Sequence, residues 1–207
     1  MAQAAISLER LHAEPRGLGS WLTTVDHKRI GILYFISSFI FFLVGGLGAL
    51  TMRTQLIVPD NTLVGPHLFN QLFTTHGVIM IFLFIMPMNS AFFNFLTPLL
   101  IGARDVAFPR LNSFSFWVFL FGALLMLSGG LSGNLPNGGW FGYAPLTSHV
   151  SPAYLPGDGA DFWMMGLQVV GISSIASALN FFVTIVNLRA PGMSLMRMPI
   201  FVWMTFI

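Results

Sequence analysis

The chain has 207 residues, 55% of them hydrophobic and only 8% charged, with a mean hydropathy of +0.78 and a formal net charge of +2. Soluble domains carry about 25% charged residues, so a water-soluble globular protein is excluded, and so small a net charge gives no sign of a nucleic-acid partner. The absence of cysteine excludes disulfides, thiolate-ligated iron–sulfur clusters and a copper site built on cysteines.

Residues 1–20 include Glu9, Arg10, His12, Glu14 and Arg16 and no long apolar run, so they read as a short cytoplasmic tail rather than a signal peptide. A bilayer span needs roughly 20 apolar residues. The first runs from about Ile30 to Met52, and Gly45 and Ala49 on it form a small-xxx-small pair that permits close helix packing. The second, about Leu72 to Ile101, would reach near 45 Å at ~1.5 Å per residue, so it must tilt or protrude. Pro87 and Pro98 can bend it. A third covers about Phe114 to Leu131. The loop from about Ser132 to Ala160, with "GNLPNGGWFGYAPL", reads as a structured outer cap whose Trp140, Phe141 and Tyr143 suit the membrane interface. A fourth span covers about Phe162 to Leu188, and a fifth begins near Met198 and is incomplete at Ile207.

Eight of the nine Lys and Arg residues fall on one side of these spans: Arg10, Arg16, Lys28, Arg29, Arg104, Arg110, Arg189 and Arg197. Positive charge stays inside, which makes the N-terminus cytoplasmic. The expected fold is therefore an all-α, polytopic transmembrane helix bundle, with four complete spans and the start of a fifth.

One ionisable side chain, His76 in "FTTHGVIMIF", sits inside a span. Such residues are costly in a bilayer and point to function by default. Either His76 bonds a neighbouring helix or it ligates a haem iron. Gly77 beside it leaves room for a flat macrocycle or for a helix. Asn94 follows His76 by 18 residues, five turns at about 3.6 residues per turn, so both face one direction. On the fourth span Ser173, Ser177, Asn180, Thr184 and Asn187 make one polar stripe. It serves either interhelical hydrogen bonding, about 0.6 kcal/mol per contact, or as the wall of a water-filled path. Asp105, between Arg104 and Arg110, is either a solvated ion pair or a proton collector at the mouth of that stripe.

The words "TTVDHKRIGILY", "TTHGVIMIF", "PLLIGARDVAFPRLN" and "NFFVTIVNLRAPGMSLMRMP" closely resemble subunit I of the haem-copper oxidases, in the bacterial form with the main proton-pumping pathways. The resemblance runs from about Trp21 to the end. It implies that 21–207 are the N-terminal part of that transmembrane domain, stopping within its fifth span. It also implies residue roles. His76 matches an axial ligand of the low-spin haem, Arg53 the arginine that bonds the formyl group of an A-type haem, and Trp140 a tryptophan near the propionates. Asp105 matches the carboxylate at the cytoplasmic mouth of the D-channel, and Asn94 and Asn112 its asparagine gate. Tyr34, Ser173, Ser174 and Asn180 match further polar residues along that path.

The resemblance further implies a high-spin haem and copper whose ligands, like every catalytic residue, lie beyond this sequence. His67 and His149 in outer loops, and His12 and His27 on the cytoplasmic side, cannot replace them. These 207 residues by themselves are expected to be an inactive piece of the subunit. Copper-bearing subunit II, subunit III, membrane lipid and cytochrome c are the implied partners, in a bacterial inner membrane. Quinol-using relatives carry an arginine, an aspartate and a histidine where this chain has Val44, Gly48 and Leu68; only Gln71 matches. This favours cytochrome c as donor over a quinol. A quinol oxidase, and a non-catalytic transporter or haem-anchoring protein, are the competing expectations.

Overall fold

The computed structural model describes residues 17–147 and 158–207. Glu9, Arg10, His12, Glu14, Arg16 and His149 lie outside the described residues. Every regular element among the described residues is helical.

A short helix α1, Leu18–Leu22, leads to the first span, α2, His27–Gln55. The word "TTVDHKR" is a helix start: Thr24 Oγ1 accepts the Asp26 N–H at 3.2 Å, and the Asp26 carboxylate accepts the Arg29 N–H at 2.9 Å. That N-cap satisfies one of the orphan donors and makes His27 the first helical residue. At the far end Gln55 brackets the outer turn, accepting from Val64 N–H at 2.7 Å and donating to the Asn61 carbonyl.

The second span is one apolar helical run, Pro66–Ile101, in three parts. Pro66 occupies the first turn of α3, Pro66–Val78, where its missing N–H costs nothing. The helix widens into π geometry over Ile79–Ile85 and returns to α4, Met86–Ile101. Pro87 accounts for the widening, because it offers no N–H and its ring would clash with the carbonyl four residues back. The irregularity that the sequence placed at Pro87 takes the form of this wider turn. Gly102, left-handed at φ 73°, stops α4.

The third span joins α5, Pro109–Ser128, to a 3-10 turn at Gly129–Ser132. The outer cap contains α6, Ala144–Thr147. The fourth span is α7, Gly159–Asn187, and the fifth hydrophobic stretch opens as α8, Ile200–Phe206, after a 3-10 turn at Leu195–Arg197. The four spans are 29, 36, 24 and 29 residues long. At ~1.5 Å per residue each exceeds the ~30 Å hydrocarbon core, so their ends reach the interfaces. The all-α, four-span architecture is thus as the hydropathy pattern required.

Two antiparallel seams hold the bundle. Along α2 the buried positions His27, Gly31, Tyr34, Ser38, Phe41 and Gly45 alternate by four and three, the repeat of left-handed packing. A Cβ on Gly31 would stand 3.0 Å from the Ala91 carbonyl, and one on Gly45 3.0 Å from Ile79, so small residues set how closely the second span approaches. Gly45, Ser38 and Gly31, spaced by seven, thus lie along this seam.

The second seam joins α5 to α7. Phe108, Ser115 and Gly122 recur every seven residues and face Asn180, Ser173 and Gly166, also spaced by seven. A Cβ on Gly166 would lie 2.6 Å from that of Met126, and one on Gly122 3.0 Å from the Gly166 carbonyl. Tyr34 wedges between the seams, its ring against Phe116 and Phe119. Phe39, Leu47, Ile175 and Leu179 remain 46–64% exposed on the outer faces. A soluble monomer would not display such an area of apolar surface, and a bilayer requires it.

Candidate functional site

Three groups of polar residues occupy this frame, one near the end that carries Trp140, one at the end that carries Asp105 and one between.

At the Trp140 end His76 is half-buried and its Nδ1 donates to the Gly45 carbonyl at 2.9 Å. A carbonyl can only accept, so Nδ1 carries the proton and Nε2 keeps its lone pair. Ligating histidines are oriented in this way, the second nitrogen bonded to backbone or carboxylate. Both readings of His76 are thus compatible: one nitrogen bonds a helix and the other stays available to iron. The space beside Gly77 is taken by Trp140, whose ring would lie 3.3 Å from a Cβ there, while the indole remains 45% exposed. Arg53 lies in the last turn of α2, eight residues beyond Gly45 and so about 12 Å further out. It is exposed, and its guanidinium makes no ion pair to the described residues. The described residues bring together no group of three His, Cys, Asp or Glu side chains. A haem needs only one such ligand from this stretch, and the donor chemistry of His76 fits it.

Near the start of the first span Asp105 departs from the expected ion pair with its flanking arginines. Neither Arg104 nor Arg110 is within ion-pair distance. Its Oδ1 accepts from His27 Nδ1 at 3.0 Å and from the Val106 N–H at 2.7 Å. The next two residues are fastened to α7: Ala107 N–H donates to Thr184 Oγ1 at 2.9 Å, and Phe108 N–H to Asn180 Oδ1 at 2.9 Å. Asn180 Nδ2 returns a bond to the Phe108 carbonyl at 3.3 Å.

Between them runs a buried polar chain. Tyr34 Oη donates to Ser115 Oγ at 3.2 Å, and Ser173 Oγ donates to the Ser115 carbonyl at 2.6 Å. Asn94 and Asn112 are fully buried. Asn94 Nδ2 donates to the Ser90 carbonyl at 2.8 Å, but its Oδ1 has no partner, nor has either amide atom of Asn112, nor Ser177 Oγ. Buried amides are rarely left so, because each unpaired atom costs about 1–3 kcal/mol. A cavity of about 210 Å³ adjoins this region, with Tyr34, Ser90, Ser173, Ser174 and Ser177 among its walls. Ser174 is exposed at its open side. The cavity has room for several waters and polar groups to hold them.

His76 and Asn94 do share a neighbour, since both pack on α2, His76 at Gly45 and Asn94 at Gly31. Of the stripe on α7, Ser173, Ser177, Asn180 and Thr184 are buried and Asn187 is exposed.

The family described as Cytochrome C and Quinol oxidase polypeptide I matches residues 29–207. The chain belongs to this family. It is 50% identical over 208 residues to a provisionally named cytochrome c oxidase subunit 1-beta of Streptomyces avermitilis, covering 99% of this chain and 36% of the relative. It is 48% identical to cytochrome c oxidase subunit 1 of Bacillus sp. strain PS3, over 94% of this chain and 32% of the relative. To quinol oxidase subunit 1 of Bacillus subtilis strain 168 it is 47% identical, over 90% and 28%. The chain thus spans about a third of the length of these curated relatives. As an oxidase-family chain with four helices able to cross a bilayer, it is an integral membrane protein.

The structure also uses residues to which the sequence assigned little. Gln71, one of four positions weighed for quinol use, donates to the Gly133 and Leu135 carbonyls at 3.2 Å each, and so ties the second span to the outer cap. His27, set aside as a cytoplasmic-side histidine, is buried against Asp105. The cue to His27 was its place just after the Asp26 cap, which turns the first helical residue inward.

Proposed function

We propose that this chain is the N-terminal part of the core subunit of a proton-pumping respiratory terminal oxidase, which passes electrons from cytochrome c to oxygen and reduces it to water. His76 would hold a low-spin haem through Nε2, with Arg53 and Trp140 at its edge, the arginine favouring an A-type haem. When bound, that haem supplies one-electron redox chemistry. The remaining haem, the copper and their ligands would come from later residues of the subunit. Subunits II and III complete the complex, in a bacterial inner membrane with the N-terminus in the cytoplasm.

The protein's own part in this stretch is proton intake. Asp105 stands 36% exposed at the inner mouth and accepts protons from water. From there Asn112, Asn94, Tyr34, Ser173 and Ser174 orient waters along the interior, while Asn180, its amide spent on the Phe108 backbone, holds the loop at the path's wall; asparagines hold no proton, so Asn112 and Asn94 suit a gate. The observation that carries this reading is the pair of buried amides with unsatisfied atoms, Asn94 and Asn112, together with Ser177, which lines a cavity of about 210 Å³ that can hold water.

The deciding experiment is the reduced-minus-oxidised visible spectrum of the complete complex. A low-spin A-type band that disappears in His76→Ala supports the reading. A band that persists unchanged removes His76 from its role.

A quinol oxidase is the second reading, favoured by the 47% identity to the Bacillus subtilis enzyme. Val44, Gly48 and Leu68 lack the side chains of quinol-using relatives, and Gln71 is committed to the cap, which weighs for cytochrome c. Turnover with reduced cytochrome c against ubiquinol separates the two.

A further inference from the structure

We infer that His27 is a positioning residue for proton intake: through its Nδ1–H it pins one oxygen of Asp105 so that the other, Oδ2, is the atom that receives protons. The inference rests on the reading of Asp105 as the intake carboxylate.

The geometry has three parts. The His27 side chain is only 3% exposed, whereas that of Asp105 is 36% exposed. The Nδ1–H donates to Oδ1 at 3.0 Å, and the ring's other nitrogen, Nε2, is buried without a partner. The Val106 N–H takes a second site on Oδ1 at 2.7 Å. Oδ1 is therefore twice bonded, and Oδ2 is left for water.

The charged neighbours do not compete for this role. On its own helix start, Asp26 accepts from the Arg29 backbone, and Lys28 is exposed. Trp21 packs against the Arg29 guanidinium, 5.6 Å from the ring centre. From the facing loop and α5, Arg104 and Arg110 are exposed and outside ion-pair distance of Asp105. Arg189 is engaged with the Ile185 and Met193 carbonyls. Asn180 and Thr184 hold the same loop from α7, so His27 is what fastens Asp105 to the first span. Without it the carboxylate keeps a single tether, its own neighbour's N–H, and both oxygens can turn to solvent.

The test compares His27→Leu, His27→Asn and Asp105→Asn in the complete oxidase, reading proton uptake, protons pumped per electron and the haem spectrum. An asparagine amide can occupy the position of Nδ1–H; leucine cannot. Uptake slowed about tenfold in His27→Leu, with an unchanged haem spectrum, and restored in His27→Asn, is the expected result. Wild-type uptake in His27→Leu beside slow uptake in Asp105→Asn would overturn the inference and leave the intake reading standing. Equal slowing in His27→Leu and His27→Asn would also overturn it, since the ring's donor would not matter. Wild-type uptake in Asp105→Asn would sink the intake reading itself, and the inference with it. Should His27→Leu not assemble, His27→Asn against His27→Gln decides: only asparagine restores uptake if the donor position matters, and equal rates would overturn the proposal.

Discussion

Asn180 and Asn112 are both fully buried asparagines on neighbouring spans, yet their amides are in opposite states. Asn180 uses both amide atoms on the backbone of Phe108, and Thr184 beside it holds Ala107. Neither amide atom of Asn112 has a protein partner. A buried polar residue whose bonds are all made is a fastener. One whose bonds are missing needs water, and water is what a proton path consists of. The stripe on α7, which by sequence served packing or conduction equally, therefore divides: Asn180 and Thr184 fasten the loop, and Ser177 faces the cavity.

The largest test of that division is at the seam itself. Gly166→Leu, whose side chain would run into Met126 from 2.6 Å at its first carbon, should prevent assembly or lower the Tm of the complex by many degrees. Overpacking alone costs about 1–3 kcal/mol, and here backbone stands in the way. A normal Tm would mean the seam is not close-packed.

Asp105→Asn should come next, with turnover and pumping down about tenfold or more and the low-spin haem spectrum intact. Pumping at the wild-type level would remove Asp105 from the path.

The asparagines then sharpen the comparison directly. Asn180→Leu leaves the Phe108 N–H unpaired, while its carbonyl still accepts from the Asn112 N–H, and should destabilise by about 1–3 kcal/mol, read as a fall in Tm. Asn112→Leu loses no protein hydrogen bond, so it should leave Tm within a degree or two while slowing proton uptake. The reverse pattern would break the distinction between fastener and gate.

The smallest effect belongs to Asn187→Ala. The side chain is exposed at the end of α7, so stability and uptake should both stay near wild type, within about 0.5 kcal/mol for stability. A large loss would show that the stripe acts as one unit.

Much of the fold is legible in the sequence because a bilayer acts on each segment separately. Apolar length alone makes a span, so the four runs found by hydropathy are the four long helices, each beginning a few residues earlier than the apolar run. His76 stands out for the same local reason, being the one ionisable group within those runs. Pro87 is visible in the sequence, but whether a proline bends or widens a helix depends on the neighbour that packs there. The sequence shows Gly45 as a small residue fit for close packing, and the structure shows that Gly31 and Gly45 meet Ala91 and Ile79 of the second span.

What the sequence by itself determined is the class of protein, its four spans and the position of His76, because hydropathy and charge add up residue by residue along the chain. Only the tertiary structure decided which buried polar atoms are paired. Asp105 meets His27 across 78 residues, Asn180 meets Phe108 across 72, and His76 meets Gly45 across 31. A hydrogen bond has two ends, and no local pattern can say whether the second one is another helix, a loop or a molecule of water.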